Sequence, residues 1–294
     1  MSSQQELLAL QPEHAFFIGI DSDGCCFDSM EIKHKECFIP NIIKHWDCQA
    51  VSKFARAASE FVNLYSKWRG CNRFPALLMT FDLLDEWADV QARSWRSPEI
   101  PSLRDWVKNE SKLGNPALQR AVAATNDPIL VKTLAWSEEV NRTVEEIVHD
   151  LPPFPLVPEV LQRAQQEAEI IVVSGTPGEA LQREWEEHGI DRYVKTICGQ
   201  EVGSKSQMLE WAAKGKYAPD KVLMLGDAPG DLKAAKANGN LFFPVNPGDE
   251  ARSWERLQNE ALDRFFAGTY AGEYEESLIA EFDQLLPERP PWKK

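Results

Sequence analysis

The segment 222-VLMLGDAPGDLKAAKANGNLFFPV-245 runs from one apolar stretch through a helical pattern into a second apolar stretch. Short apolar runs bounded by turn residues are the mark of buried strands, and strands that alternate with helices build parallel sheets. The same succession appears upstream in 16-FFIGI, in 170-IIVVSG followed by 178-GEALQREWEEHG, and in 193-YVKTI. The fold expected is α/β, a doubly wound, Rossmann-like parallel sheet with helices on both faces.

The first strand is separated from the others by a long block that reads as helix after helix, in 28-DSMEIKHKECFIPNIIKHW, 50-AVSKFARAASEFVNLYSKW, 75-PALLMTFDLLDEWADV and 128-PILVKTLAWSEEVNRTVEEIVHD. An uninterrupted helical block inside an α/β chain is best explained as an inserted all-helical domain. Its exit is 151-LPPFPLVPEV, where four prolines in seven residues stiffen the backbone into an extended linker. The expected division is a discontinuous core of residues 1–27 and 154–294 with a helical insertion at 28–153. The tail from residue 251, with amphipathic spacing and exposed acids, is expected to pack on the core.

A chain of 294 residues with 43% hydrophobic content has ample material for a packed core. Its net charge of −14, with no dense cluster of Lys and Arg, argues against nucleic acid as a partner. The N-terminal MSSQQELLALQPEHAFF has no basic region leading into a long apolar run, and no stretch approaches the roughly 20 apolar residues of a membrane span. A soluble, cytoplasmic protein is expected, with no membrane partner. The six cysteines form no Cys-x-x-Cys pair, and Cys25 beside Cys26 is a poor staple, so reduced thiols are expected.

Asp21-Ser22-Asp23-Gly24 ends the first apolar run. Open parallel sheets place ligands at that carboxyl edge, so both aspartates would face a crevice. Alone the string is weak, because Asp-Gly pairs commonly make turns. A calcium loop is excluded, since it needs flanking helices and a Glu at the twelfth position, here Ile32. Three further elements sharpen the pattern. Ser174 and Gly175 close the run 170-IIVV and offer a hydroxyl and an amide to phosphate. Lys205, in 203-GSK, is a point cation able to balance a carboxylate against a dianionic substrate. Asp227 follows the strand 222-VLMLG, with Asp231 four residues on, and carboxylates from neighbouring strand ends form a hard-oxygen cage for Mg²⁺.

At these residues the chain resembles the haloacid dehalogenase-like superfamily, all four of whose motifs occur in order. The fourth is unusually complete, as Gly-Asp-x-x-x-Asp-x-x-x-Ala-x-x-Asn-Gly at residues 226–239. The resemblance implies that Asp21 attacks phosphorus to give an aspartyl-phosphate, while Asp23 protonates the leaving oxygen and then activates water. Ser174 and the Gly175 amide would hold the phosphoryl oxygens, and Lys205 would neutralise the nucleophile and phosphate. Mg²⁺ would be bound by Asp21, Asp227 and the Asp23 carbonyl, with Asp231 acting through water or orienting the others. An alkoxide leaving group needs an acid and a halide does not, so Asp23 favours phosphoester chemistry over dehalogenation. Three departures mark a divergent branch: Cys25 where Thr or Val is usual, Ser22 where an apolar residue is common, and Ser206 rather than Pro after Lys205.

The insertion resembles the helical cap of many relatives, and a closing lid implies a small phosphorylated metabolite as substrate. Within it, 67-KWRGCNRF looks like the Lys-Gly-x-Ser-Arg loop of β-phosphoglucomutase-type caps. Arg69 and Arg73 would then grip a second anionic group of the substrate. The alternative is that they are ordinary surface arginines in a helix–helix turn. Lys33 and His34 follow the start of the insertion, either as hinge residues or as a solvated helix face. The tryptophans Trp46, Trp68, Trp87, Trp95, Trp106 and Trp136 are expected to pack the insertion's core. The function expected is a Mg²⁺-dependent phosphatase. Rival functions are a sugar-phosphate mutase on the same fold, a phosphonate hydrolase, for which Lys67 is the nearest lysine, and a non-catalytic binding protein.

Overall fold

The computed structural model describes residues 3–293. Five strands, β1 (Phe16–Ile20), β2 (Ala168–Val173), β3 (Thr196–Cys198), β4 (Val222–Gly226) and β5 (Leu241–Pro244), form one sheet in the order β3-β2-β1-β4-β5. Every pair is parallel, with Ile20 opposite both Val172 and Leu225. The chain builds outward from β1 to β2 and β3, then returns to add β4 and β5 on the other side. Order reverses between β1 and β4, the place where such sheets leave a crevice at the carboxyl ends.

The strands read as continuous apolar runs because both faces are covered. Ile18, Ile20, Ile170, Val172, Leu223 and Leu225 enter one buried layer. The intervening Phe17, Ile171, Val173, Val222 and Met224 enter the other. This is the two-residue alternation of a strand with apolar partners on both sides. The C-terminal helices supply both layers, with Trp254, Leu262, Phe265 and Leu278 in the first and Phe282 and Leu286 in the second. At the sheet edge, 193-YVKTI contributes less strand than its apolar pattern predicts. Asp191–Tyr193 forms a 3₁₀ turn, and the strand starts at Thr196.

The chain divides into two compact units. One holds the sheet and gathers residues up to Met30 with Asp150–Leu286; the other is Glu31–His149 with the segment from Pro287. Residues from 287 onward thus group with the helical unit and not with the core assigned to them from sequence. The reason is aromatic: Trp292 stacks on Trp87 at 4.2 Å between centroids, with their planes 8° apart.

The second unit is helical throughout, with Ser52–Asn63, Arg73–Asp85, Pro101–Asn109, Asn115–Thr125 and Pro128–Ile147 as its longer elements. Trp46, Trp106 and Trp136 are buried in its core with Phe74 and Phe81, and Trp87 and Trp95 pack at its margin. Trp68 departs from the expectation, lying 36% exposed in the turn between two helices. Among the described residues no helix is long and apolar enough to cross a membrane. All six cysteines are free thiols.

Candidate active site

Strand β1 delivers Asp21 to the sheet edge, where its backbone N–H donates to the Leu225 carbonyl at 3.0 Å and continues the ladder toward β4. The chain then folds back sharply. The Ser22 carbonyl accepts from the amides of Cys25, Cys26 and Phe27, and Gly24 stands at φ 75°, a left-handed conformation that suits glycine. Ser22 is fully buried. Its hydroxyl accepts from Trp185 Nε1 at 2.9 Å and donates to Glu184 at 3.3 Å. The polar residue between the two aspartates thus ties the turn to the helix Gly178–Glu187. Cys25 and Cys26 are apolar filling beneath it. The Cys26 thiol donates to the Asp21 carbonyl, and the Cys25 carbonyl accepts from Trp254 Nε1 at 2.8 Å.

Asp21 is buried, and each of its carboxylate oxygens is engaged. Oδ1 accepts from the Ser22 amide at 2.8 Å and Oδ2 from Lys205 Nζ at 2.6 Å. Lys205 begins the helix Lys205–Ala213, whose Ser204 cap and Gln207 form a reciprocal capping box. That box fixes where the lysine stem leaves the backbone, and the same ammonium donates to Asp231 Oδ1 at 2.5 Å.

Asp227 and Asp231 come from β4 and the helix Pro229–Ala237 that follows it. Asp231 Oδ2 accepts from the Ala228 amide at 3.1 Å, which folds the carboxylate back against the strand end. Gly226 is required by that approach, since a Cβ there would lie 2.4 Å from Asp231 Cγ. Asp21, Asp227 and Asp231 are all buried, with ligand oxygens within 4.8 Å of one another. Lys205 bonds two of these carboxylates, and acidic groups buried this close together are costly to ionise without further positive charge. Burial pushes the Asp21 carboxyl up to about 8, against the pull of Lys205 and with the help of Asp231 and Asp227. Burial alone would lower the Lys205 ammonium, but Asp21 and Asp231 outweigh it and hold it above the usual lysine range. An all-carboxylate cluster of this size and charge fits a hard divalent cation.

Asp23 stands outside that cluster. Its Oδ1 accepts from the Ser29 hydroxyl and its Oδ2 from the Thr176 hydroxyl, the latter at 2.5 Å. Ser174 is buried one residue past β2, its amide bonded to the Cys198 carbonyl, and its Oγ accepts from the Thr176 amide at 3.3 Å. Gly175 is exposed beside it. The aspartates, Ser174, Gly175 and Lys205 singled out from sequence therefore all lie at the carboxyl ends of β1, β2 and β4 or in the segments that follow β2, β3 and β4. Ser29, Thr176 and Trp185 were not singled out. The signal for Thr176 was available in 174-SGTP, as a hydroxyl two residues past Ser174 and locked before a proline.

The residues singled out in the helical unit are occupied within it. Arg73 Nη1 donates to Ser137 O at 3.1 Å, Ser137 Oγ at 3.0 Å and Asn141 Oδ1 at 2.7 Å, and its guanidinium lies 4.9 Å from the Phe38 ring centroid. Burial lowers that guanidinium to about 10. Arg69 is 3% exposed and donates to the Leu64 carbonyl. Neither is the exposed turn arginine of the alternative reading. His34 is buried against Phe38, which overturns the solvated helix face for that residue, and Lys67 pairs with Glu288 at 3.1 Å.

The haloacid dehalogenase-like hydrolase family model matches residues 107–245, which takes in Ser174, Lys205, Asp227 and Asp231 but begins after Asp21. No curated protein matches the chain. Among solved structures, the chain is similar to a hydrolase of the haloacid dehalogenase-like family from Streptococcus pneumoniae, at 14% identity and a TM-score of 0.44 over 83% of this chain and 91% of that one. A predicted phosphoglycolate phosphatase from Haemophilus somnus aligns at 18% identity and a TM-score of 0.41 over 79% and 86%. A haloacid dehalogenase-like hydrolase from Xanthomonas campestris aligns at 11% identity and a TM-score of 0.43 over 94% and 96%. With the family match on its later motifs and the first motif meeting them at one sheet edge, the chain is similar to the haloacid dehalogenase-like hydrolases over the segment that carries those motifs.

Proposed function

We propose that the protein is a Mg²⁺-dependent phosphatase that hydrolyses a small phosphorylated metabolite through an aspartyl-phosphate on Asp21. The observation that carries the proposal is the Asp21 carboxylate itself. It is buried, held at both oxygens by Ser22 and Lys205, and lies beside two further buried carboxylates whose oxygens come within 4.8 Å of one another and of its own. A nucleophile needs such fixed orientation, and phosphoryl transfer needs concentrated positive charge at the oxygens of the moving group. Asp21, Asp227 and Asp231 would hold the ion, which when bound supplies that charge.

In the first half-reaction an Asp21 oxygen forms a bond to phosphorus as the bond to the ester oxygen breaks, and Asp23 gives its proton to the departing alkoxide. In the second, the Asp23 carboxylate takes a proton from water as the water oxygen bonds to phosphorus, and the bond to Asp21 breaks to regenerate the carboxylate. Ser174 and the Gly175 amide would receive the phosphoryl oxygens, and Lys205, with the bound ion, would draw Asp21 toward its ionised form against the effect of burial.

The test is a panel of phosphorylated metabolites screened for inorganic phosphate release with Mg²⁺, with Ca²⁺ and after chelation. Phosphate release that requires Mg²⁺ and that Ca²⁺ restores poorly is expected, because the larger ion misplaces the nucleophile. Full activity after exhaustive chelation would remove the metal from the mechanism. A product that keeps its phosphate on a new oxygen would make the enzyme a mutase.

A further inference from the structure

We infer that Thr176 is a positioning residue for Asp23, which couples the proton donor to the phosphate-binding hydroxyl of Ser174. The inference rests on the phosphatase function proposed above. Thr176 lies in the loop between β2 and the helix Gly178–Glu187 and is held at three points. Its amide donates to Ser174 Oγ at 3.3 Å, its carbonyl accepts from the Gln200 amide at 3.1 Å, and its hydroxyl donates to Asp23 Oδ2 at 2.5 Å. Pro177 restricts the backbone of the residue before it to extended conformations, and a β-branched side chain has few χ1 choices. One rigid residue therefore touches both groups, although Asp23 and Thr176 are 153 positions apart in the chain.

The consequence for catalysis follows from charge. When the ester bond breaks, the proton of Asp23 passes to the departing oxygen and the carboxyl becomes a carboxylate. A hydroxyl donating to that carboxylate stabilises it as its charge develops, and it also holds the plane of the group so that the proton is presented in one direction. The help matters in proportion to the charge the leaving oxygen would otherwise carry. An alkoxide or a weakly acidic phenol needs it, whereas 4-nitrophenolate hardly does. Loss of the Thr176 hydroxyl is thus expected to depend on the leaving group, whereas loose packing in the loop would slow every substrate alike.

The experiment uses the full chain with Mg²⁺ and a series of substituted phenyl phosphates, from 4-nitrophenyl to unsubstituted phenyl. Thr176→Val should lower kcat for phenyl phosphate by about 10- to 100-fold, the worth of one hydrogen bond to a charged group, with little change in KM. The loss on 4-nitrophenyl phosphate should be several-fold smaller. Thr176→Ser should recover most of the difference. In the Asp23→Asn background Thr176→Val should add little, since the two residues act as one unit. Thr176→Ala removes the same hydroxyl without adding a methyl group, and carries the same expectation if the valine variant does not fold. Equal losses across the series, no rescue by serine, or full additivity with Asp23→Asn would overturn the role of Thr176 while leaving the phosphatase intact. A wild-type enzyme that releases phosphate from none of these esters and from no metabolite of the panel would overturn the function first, and this role with it.

Discussion

At the scale of single residues, the first motif is held from several directions at once, and each hold has its own consequence. Asp21→Asn should abolish turnover with the fold retained, because an amide supplies no attacking oxygen anion while it removes one of three crowded charges. Phosphate release and a thermal melt on the same preparation check both halves, and residual turnover would strip Asp21 of the nucleophile role. Ser22 is the less obvious case. Its buried hydroxyl, between Trp185 and Glu184, stands where an apolar side chain would ordinarily suffice. Trp185→Phe keeps the ring and deletes only the N–H, so it should cost about 1–3 kcal/mol by leaving a buried hydroxyl short of a donor. Ser22→Ala combined with Trp185→Phe should cost less than the sum of the single changes, since both remove one bond. Urea denaturation of the four proteins closes that cycle.

At the scale of elements, the strand-to-helix turn after β4 shows how local shape sets a charged site. Asp231 can fold back onto the Ala228 amide and reach Lys205 only because Gly226 leaves room beside the strand. Gly226→Ala should push the Asp231 carboxylate away, and the backbone atoms of a central strand cannot shift to make space. Weaker Mg²⁺ binding by isothermal titration and a lower melting temperature are expected together. An alanine variant with unchanged Mg²⁺ affinity would show that the approach of Asp231 is not needed for the metal. The C-terminal helices serve the same site from the other end of the chain, since Trp254 donates to the Cys25 carbonyl of the nucleophile turn. In the helical unit the corresponding tie is the last segment, where Trp292 stacks on Trp87 and Lys293 pairs with Glu86.

At the scale of the whole molecule, the buried acids link stability, pH and metal. Burial pushes the Asp21 carboxyl up to about 8 in the fold, above the roughly 4 expected of an unfolded aspartate. Between those values the folded state holds a proton that the unfolded chain has lost. The contribution of Asp21 to stability therefore falls as pH rises from about 4 to about 8 and is constant above. Lys205, whose pKa is raised, contributes stability that persists through this window and is lost only above the usual lysine range. A cation competes with protons for the same carboxylates, so Mg²⁺ should raise the melting temperature more at pH 8 than at pH 5. Melts at both values with and without Mg²⁺ test this, and an increment that is equal or larger at pH 5 would count against it.

The sequence by itself determined the parallel sheet, the helical block after β1 and the acids at the strand ends. These depend on local order, because apolar runs of strand length, helical periodicity and a charged residue at the end of a run are set by neighbours in the chain. Tertiary structure alone decided which side chains meet. Asp21 and Lys205 are 184 positions apart, Asp23 and Thr176 are 153, and Cys25 and Trp254 are 229. Bonds between such distant groups leave no periodic trace, which is why Ser29, Thr176 and Trp185 were passed over and residues from 287 onward were placed with the core. The arginines of 67-KWRGCNRF illustrate the same limit. The sequence reading made them either a grip for an anionic group of the substrate or ordinary surface arginines, but burial is set by what packs around a side chain, and in the fold Arg73 lies over Phe38 and bonds to Ser137 and Asn141.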